Sequence, residues 1–156
     1  FIRYYSDILK YLNLSLTEKE IQAIADDRTN NMGNYIVYPD AKEVLEVLSH
    51  SYKLGIISDT WPSIERQLCT IGVRDYFSTT TYSCELGKFK PDEALYEDAL
   101  RKSGCKPEET VFIDDSVRNL EGAAKLGITP ILIAANAASD VESPYLKIHT
   151  LSELLI

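Results

Sequence analysis

Cysteine is scarce in this sequence. Cys69, Cys84 and Cys105 are odd in number, scattered, and form no CxxC pair. That excludes a disulfide framework and a zinc site of paired thiolates, so a reducing, cytoplasmic setting is expected. The three side chains read as small buried apolar groups. No apolar run approaches the roughly 18–20 residues of a membrane-spanning helix, and no membrane partner is expected. The sequence opens on Phe1 and not on Met, so the lack of a signal-peptide pattern excludes nothing. Basic side chains are also in short supply: 16 Lys and Arg against 24 Asp and Glu leave a net charge of −8. Nucleic acids and anionic membranes need basic surface that displaces counterions, so neither is an expected partner. An anionic small molecule is compatible with this charge, because a local pocket can be positive on an acidic protein.

What is present is ordinary for a globular chain: 156 residues, of which 45% are hydrophobic and 26% charged. That is enough for one compact domain with a small appendage. No internal repeat or low-complexity segment occurs. Residues 2–13 set Ile2, Tyr5, Leu9 and Leu12 on one helical stripe. Thr17 followed by Glu20 is a capping-box signature for a second helix, with Ile21, Ile24 and Ala25 on one face. The polar cluster Asn30, Asn31, Gly33, Asn34 reads as a hinge or loop.

Beyond Tyr38 the pattern changes. Pro39-Asp40 opens a helix with the face Ala41, Val44, Leu45, Leu48. Leu54–Ile57 is a short strand ending in Ser58-Asp59-Thr60. A helix from Pro62 turns Ile64, Leu68 and Ile71 inward and stops at Gly72. Residues 76–83 read as a strand, Pro91–Lys102 as a helix ending near Gly104, and Val111–Ile113 as a strand running into Asp114-Asp115. A helix through Leu120, Ala123 and Ala124 closes at Gly127, a strand follows at Ile131–Ile133, and Leu151–Ile156 reads as a terminal helix. Short apolar strands alternating with amphipathic helices predict an α/β fold: a doubly wound, Rossmann-like parallel sheet with helices on both faces.

In such a sheet, ligands bind beyond the carboxyl ends of the strands. Two strands end in polar residues, Ser58-Asp59-Thr60 and Asp114-Asp115-Ser116, and Lys88-Phe89-Lys90-Pro91 precedes a helix. Together these would place a hydroxyl, a lysine and adjacent carboxylates around one spot. Each also has a plainer reading. Ser58 or Thr60 alone would serve as an N-cap, and Lys90 as a solvated loop lysine. Adjacent carboxylates repel each other unless a cation lies between them, so Asp114-Asp115 reads either as a metal site or as one N-cap beside a surface charge. Two oxygen ligands with room for water and a phosphate oxygen would suit magnesium. Tyr35, Tyr38 and Trp61 read as core residues or as the rim of a site. His50 and His149 fit no ligand or triad pattern and read as surface residues.

The run GKFKPDEALYEDALRKSGCKPEETVFIDDSVRNLEGAAKLGI resembles the C-terminal half of haloacid dehalogenase-like hydrolases. So do LGIISDT, the helix and IGVRDYF that follow it, and the closing YLKIHTLSELLI. The likeness covers roughly residues 38–156, and its strength lies in the order and spacing of motifs that are individually weak. It implies a core over residues 37–156 and, over residues 1–36, the C-terminal part of a helical cap. It further implies that Ser58 hydrogen-bonds a transferring phosphoryl group. Lys90 would neutralise phosphate oxygens and the nucleophile carboxylate. Asp115 would ligate Mg2+ directly and Asp114 directly or through water, with Asn119 in an outer shell. Asp59 stands where many relatives carry Asn; a backbone contact to phosphate would survive that change, whereas its charge works against a side-chain contact.

One family element is missing. The resemblance implies a first strand ending in DxD, whose first Asp attacks phosphorus and whose second handles the proton of the leaving group. No DxD occurs in these residues, and Trp61 rules out Asp59 as its first member. That strand is central in the family's sheet. Without it two strands would face a gap, at about 1–3 kcal/mol per buried unpaired group. The expectation is therefore a magnesium-dependent phosphatase of a small phosphorylated metabolite whose nucleophile lies on a preceding segment, these 156 residues alone being inactive. A phosphoglucomutase or dehalogenase of the same family, a catalytically inactive binding or structural relative, and a signalling receiver domain are the alternatives. The order hydroxyl, lysine, acidic pair argues against the receiver, and the joint presence of Ser58, Lys90, Asp114 and Asp115 argues against decay.

Overall fold

A computed structural model describes residues 1–136 and 138–155. The chain divides into two compact units, Phe1–Val37 and Tyr38–Ile156. No described helix is long and apolar enough to cross a membrane.

The first unit is a helical hairpin of α1 (Ile2–Tyr11) and α2 (Glu18–Asn30). The capping box starts α2 as the sequence predicts: Glu20 N donates to Thr17 Oγ1 at 3.3 Å, and Thr17 N to Glu20 Oε2 at 2.8 Å. Two helix-end donors are thereby satisfied reciprocally. The polar cluster is not a plain loop: Asn30 ends α2. Asn31 Oδ1 accepts from Gly33 N at 2.9 Å and caps a 3-10 turn over Met32–Asn34. Tyr35 is half-buried; its hydroxyl accepts from Arg28 Nη1 at 2.8 Å, and the guanidinium lies 5.4 Å from its ring centroid.

The second unit alternates helices and strands. In chain order these are α3 (Ala41–Ser49), β1 (Gly55–Ser58), α4 (Ile64–Ile71), β2 (Thr79–Tyr82), α5 (Ser83–Leu86), α6 (Glu93–Ser103), β3 (Val111–Asp114), α7 (Val117–Lys125), β4 (Thr129–Ile133) and β5 (Leu146–Ile148). Gly72 and Gly104 end α4 and α6 in the left-handed conformation, at φ 77° and 68°, where a Cβ would be strained. Every described pairing is parallel, and helices cover both faces, so the fold is α/β and Rossmann-like. The ladder is in two pieces, β1-β2 and β3-β4-β5. Among the described residues no strand pairs with the second edge of β1 or of β3. The main core gathers Tyr96 from α6, Phe112 from β3, Leu120 and Ala123 from α7, and Ile128 and Leu132, with Ile57 of β1 packed against them.

Several expectations need correction. The strand expected over 76–83 is confined to Thr79–Tyr82, because Arg74 Nη1 takes the Phe77 carbonyl at 2.9 Å and Ser83 already starts α5. The terminal helix is a single 3-10 turn, Leu151–Leu154, since Glu153 folds back onto the His149 and Thr150 amides at 2.7 and 3.0 Å; Ile156 lies outside the described residues. Cys69 and Cys84 are exposed and Cys105 is only half-buried, against the core reading. Cys69 follows inward-facing Leu68 on α4 and so points outward, and Cys84 sits in the one-turn α5. Tyr38 and Trp61 are 43% and 41% exposed; both lie outside the helices and strands whose faces build the core. His50 and His149 are exposed, as expected.

Candidate active site

The carboxyl ends of β1 and β3 carry the polar residues singled out above. Ser58 is the last residue of β1, beside Tyr82 of β2, and Asp59 follows it. The loop after Ser58 is tied to the end of β2, because Thr60 N donates to Ser83 Oγ at 2.9 Å, and Ser83 is buried. Thr60 is therefore no N-cap; Ser63 holds that place on α4. Asp114 is the last residue of β3 and is buried at 8% exposure.

Lys90 brings these two strand ends together. Its ammonium lies 2.6 Å from Asp114 Oδ2, with side-chain exposures of 12% and 7%. Its backbone N donates to Asp59 Oδ1 at 3.0 Å. The aliphatic stem places Nζ 5.7 Å from the Phe112 ring centroid. The reading of Lys90 as a solvated loop lysine is thus corrected: the lysine is anchored at its amide by one strand end and at its ammonium by the other.

Asp114 is fully engaged by donors. Oδ2 takes the Lys90 ammonium, while Oδ1 accepts from Ser116 N and from Asn119 Nδ2, both at 2.9 Å. A buried carboxylate needs such partners to remain charged. Asp115, next in sequence, is exposed, and its carboxylate bonds to no described side chain. The adjacent acids therefore differ in kind: one has both oxygens held by N–H donors, the other is open to a ligand.

Two further residues shape the site and were not foreseen. Tyr96, fully buried on α6, donates its hydroxyl to the Asn119 carbonyl at 2.8 Å and stacks edge-on against Phe112. Burial, with the nearby Asp114 and Asp59 charges, pushes its phenol well above the usual range. Gly122 lies inside α7, where a Cβ would come 2.7 Å from Pro91 Cβ and 3.0 Å from the Tyr96 hydroxyl. The missing side chain lets α7 close onto the Lys90-Pro91 step, which is a cis peptide. A glycine inside an otherwise good helix costs roughly 1 kcal/mol, and that violation was the signal available in the sequence.

The residues present fit a magnesium ion in part. Hard carboxylate oxygens are the ligands magnesium prefers, and it keeps several waters around one or two of them. Asp115 is the free donor, and Asp114 would act through water. Among the described residues no three His, Cys, Asp or Glu side chains gather as a metal cage. The remaining ligands would come from water, substrate, or residues outside this chain.

Comparison with known proteins places this geometry in context. The family model described as haloacid dehalogenase-like hydrolase matches residues 4–133. Glyceraldehyde 3-phosphate phosphatase of Methanothermobacter thermautotrophicus is 31% identical over 96 residues, covering 58% of this chain and 41% of that protein. Phosphoserine phosphatase of Thermus thermophilus is 29% identical over 127 residues, covering 78% and 51%. A solved haloacid dehalogenase-type phosphatase from Thermococcus onnurineus superposes with a TM-score of 0.77 at 27% identity, over 96% of this chain and 68% of that one. The chain thus spans about half the length of the curated relatives it matches.

Proposed function

The chain belongs to the haloacid dehalogenase-like hydrolases, and from that premise we propose that it supplies the phosphate- and magnesium-binding half of a phosphatase acting on a small phosphorylated metabolite. The observation that carries the reading is the Lys90–Asp114 pair at 2.6 Å, with open Asp115 beside it. The pair holds one cation at the carboxyl ends of the strands, where such sheets bind ligands. Within the cluster, Asp59, Asp114 and Asp115 outnumber the single Lys90 ammonium, so a dianionic phosphate would be repelled without a further cation. That charge balance supports a requirement for a divalent metal.

In this reading Ser58 donates its hydroxyl to a phosphate oxygen, and the Asp59 backbone lines the same spot. Lys90 neutralises oxygens of the transferring group while Asp114 holds the ammonium in place. Asp115 would ligate Mg2+, with Asp114 and Asn119 orienting its waters. The ion would supply charge neutralisation of the phosphate and alignment for in-line attack.

The nucleophile lies outside these 156 residues. Among the described residues the second edges of β1 and β3 are unpaired, which supports that part of the proposal, since one further strand could pair with both and end beside Ser58 and Asp114. Its terminal Asp would form a bond to phosphorus as the ester P–O bond breaks, and the leaving oxygen would take a proton from a second Asp. Water would then release phosphate from the aspartyl-phosphate. The free cysteines support a cytosolic setting.

The test is a panel of metabolite phosphates and p-nitrophenyl phosphate, assayed on the full-length protein with magnesium and with a chelator. Release of phosphate only with magnesium is expected. No turnover in either condition points to a non-catalytic relative, and dehalogenation of a 2-haloacid without metal points to a dehalogenase.

A further inference from the structure

Asp59 carries a negative charge where an anionic substrate is expected, and the structure gives that carboxylate another task. It stands one residue beyond β1, and Oδ1 accepts the Lys90 amide at 3.0 Å across 31 residues of chain. The Lys90 amide lies outside every strand, so no ladder partner satisfies it. The Lys90-Pro91 step forms an arm: Pro91 rests on α7 at Gly122, and the Lys90 ammonium reaches Asp114. The β1-β2 and β3-β4-β5 sheets share no described ladder bond. The arm is thus a polar tie between two strand ends that the backbone does not join.

We propose that Asp59 is a positioning residue: by holding the Lys90 backbone amide, it fixes Lys90, and through it Asp114, in register with Ser58. The task requires an acceptor oxygen at this site. The charge strengthens the bond to the amide, because a carboxylate acceptor is stronger than a neutral one. It also opposes an incoming phosphate, so a direct side-chain contact between Asp59 and substrate has no part here. The proposal deepens the phosphatase reading and rests on it for its effect on turnover, but not for the hydrogen bond itself.

The experiment compares Asp59→Asn and Asp59→Ala in the full-length protein. Amide hydrogen exchange at Lys90 reports the tie, and kcat and KM on p-nitrophenyl phosphate report its consequence. In Asp59→Ala, exchange should rise at Lys90 and its neighbours alone, and kcat should fall about 10- to 100-fold, the scale of a small misplacement of a catalytic group. Asp59→Asn keeps an acceptor oxygen and should restore both, with a KM at or below the wild-type value. Unchanged Lys90 exchange in Asp59→Ala overturns the proposal. So does equal impairment of the two variants, or a rise in exchange across the whole chain. If the wild-type protein turns nothing over, the phosphatase reading fails, and the exchange comparison alone decides the role of Asp59.

Discussion

The Lys90 ammonium and the Asp114 carboxylate meet at 2.6 Å from positions 24 residues apart, and both side chains are almost wholly shielded from water. A pair so buried gains little net stability, because the desolvation of two charges offsets their attraction. Its value lies in placing an ammonium beside the strand ends where phosphate would bind, with one carboxylate oxygen committed to holding it there.

Replacing Lys90 with Met should therefore do two separable things. Turnover of the full-length protein should fall by about 10²–10³, the usual loss when one stabilising charge leaves a preorganised site. Asp114 would also be left buried beside an apolar chain, lowering stability by about 3 kcal/mol or more, as read by urea denaturation. Adding Asp114→Asn to Lys90→Met should recover much of that stability and none of the activity.

Asp115 and Asn119 should separate in a metal titration. Asp115→Asn removes the open donor and should raise the magnesium concentration for half-activity by well over tenfold. Asn119→Ala removes one donor that orients Asp114 and should shift it by about 10-fold, the scale of an outer-shell loss. Equal shifts would contradict the distinction between Asp115 as the direct ligand and Asn119 as a residue acting through Asp114.

Gly122→Ala puts a methyl group into space held by Pro91 and the Tyr96 hydroxyl. Backbone cannot yield as a flexible side chain would, so overpacking should cost about 1–3 kcal/mol despite the better helix propensity of Ala. A lower melting temperature, with kcat reduced more than KM is changed, is the expected result.

Asp98 gives the pH dependence its sign. Burial alone would raise its pKa, but hydrogen bonds from Lys102, Thr81 and Arg101 outweigh burial and hold it below the ordinary 3.8. Lys102 Nζ lies at 2.7 Å and Thr81 Oγ1 at 2.8 Å. A depressed native pKa means that the unfolded chain binds the proton more tightly, so the stabilisation is complete above the unfolded value and is lost as pH falls through the lower native one. Asp98→Asn should lower stability at neutral pH by about 1–3 kcal/mol, and the loss should shrink in acid. Equilibrium unfolding measured between neutral pH and strong acid checks it.

How much of this was legible in the sequence depends on the range of the physics involved. The Thr17–Glu20 box and the stops at Gly72 and Gly104 are local chemistry and were found where expected. Asp114-Asp115 stood out because adjacent carboxylates after an apolar strand need a reason. The resemblance separated the two acids only as metal ligands; that Asp114 also holds the Lys90 ammonium was hidden, since it depends on Lys90 arriving from elsewhere in the fold. Cys69 was misread because one step around a helix separates core from solvent, and composition does not report that phase. Gly122 was overlooked because the cost of a helical glycine becomes meaningful only once Pro91 and Tyr96 are seen against it.

In the proposed reaction these residues hold a phosphoryl group for a nucleophile on a strand beyond this chain. The decisive measurement is to react the full-length protein with a turned-over phosphate ester, quench in acid and map the phosphorylated peptide by mass. A phosphoryl group on an Asp outside residues 1–156, and at the end of an apolar segment, is the expected result. A phosphoryl group on Ser58, on Asp59 or on any other residue of this chain would contradict it.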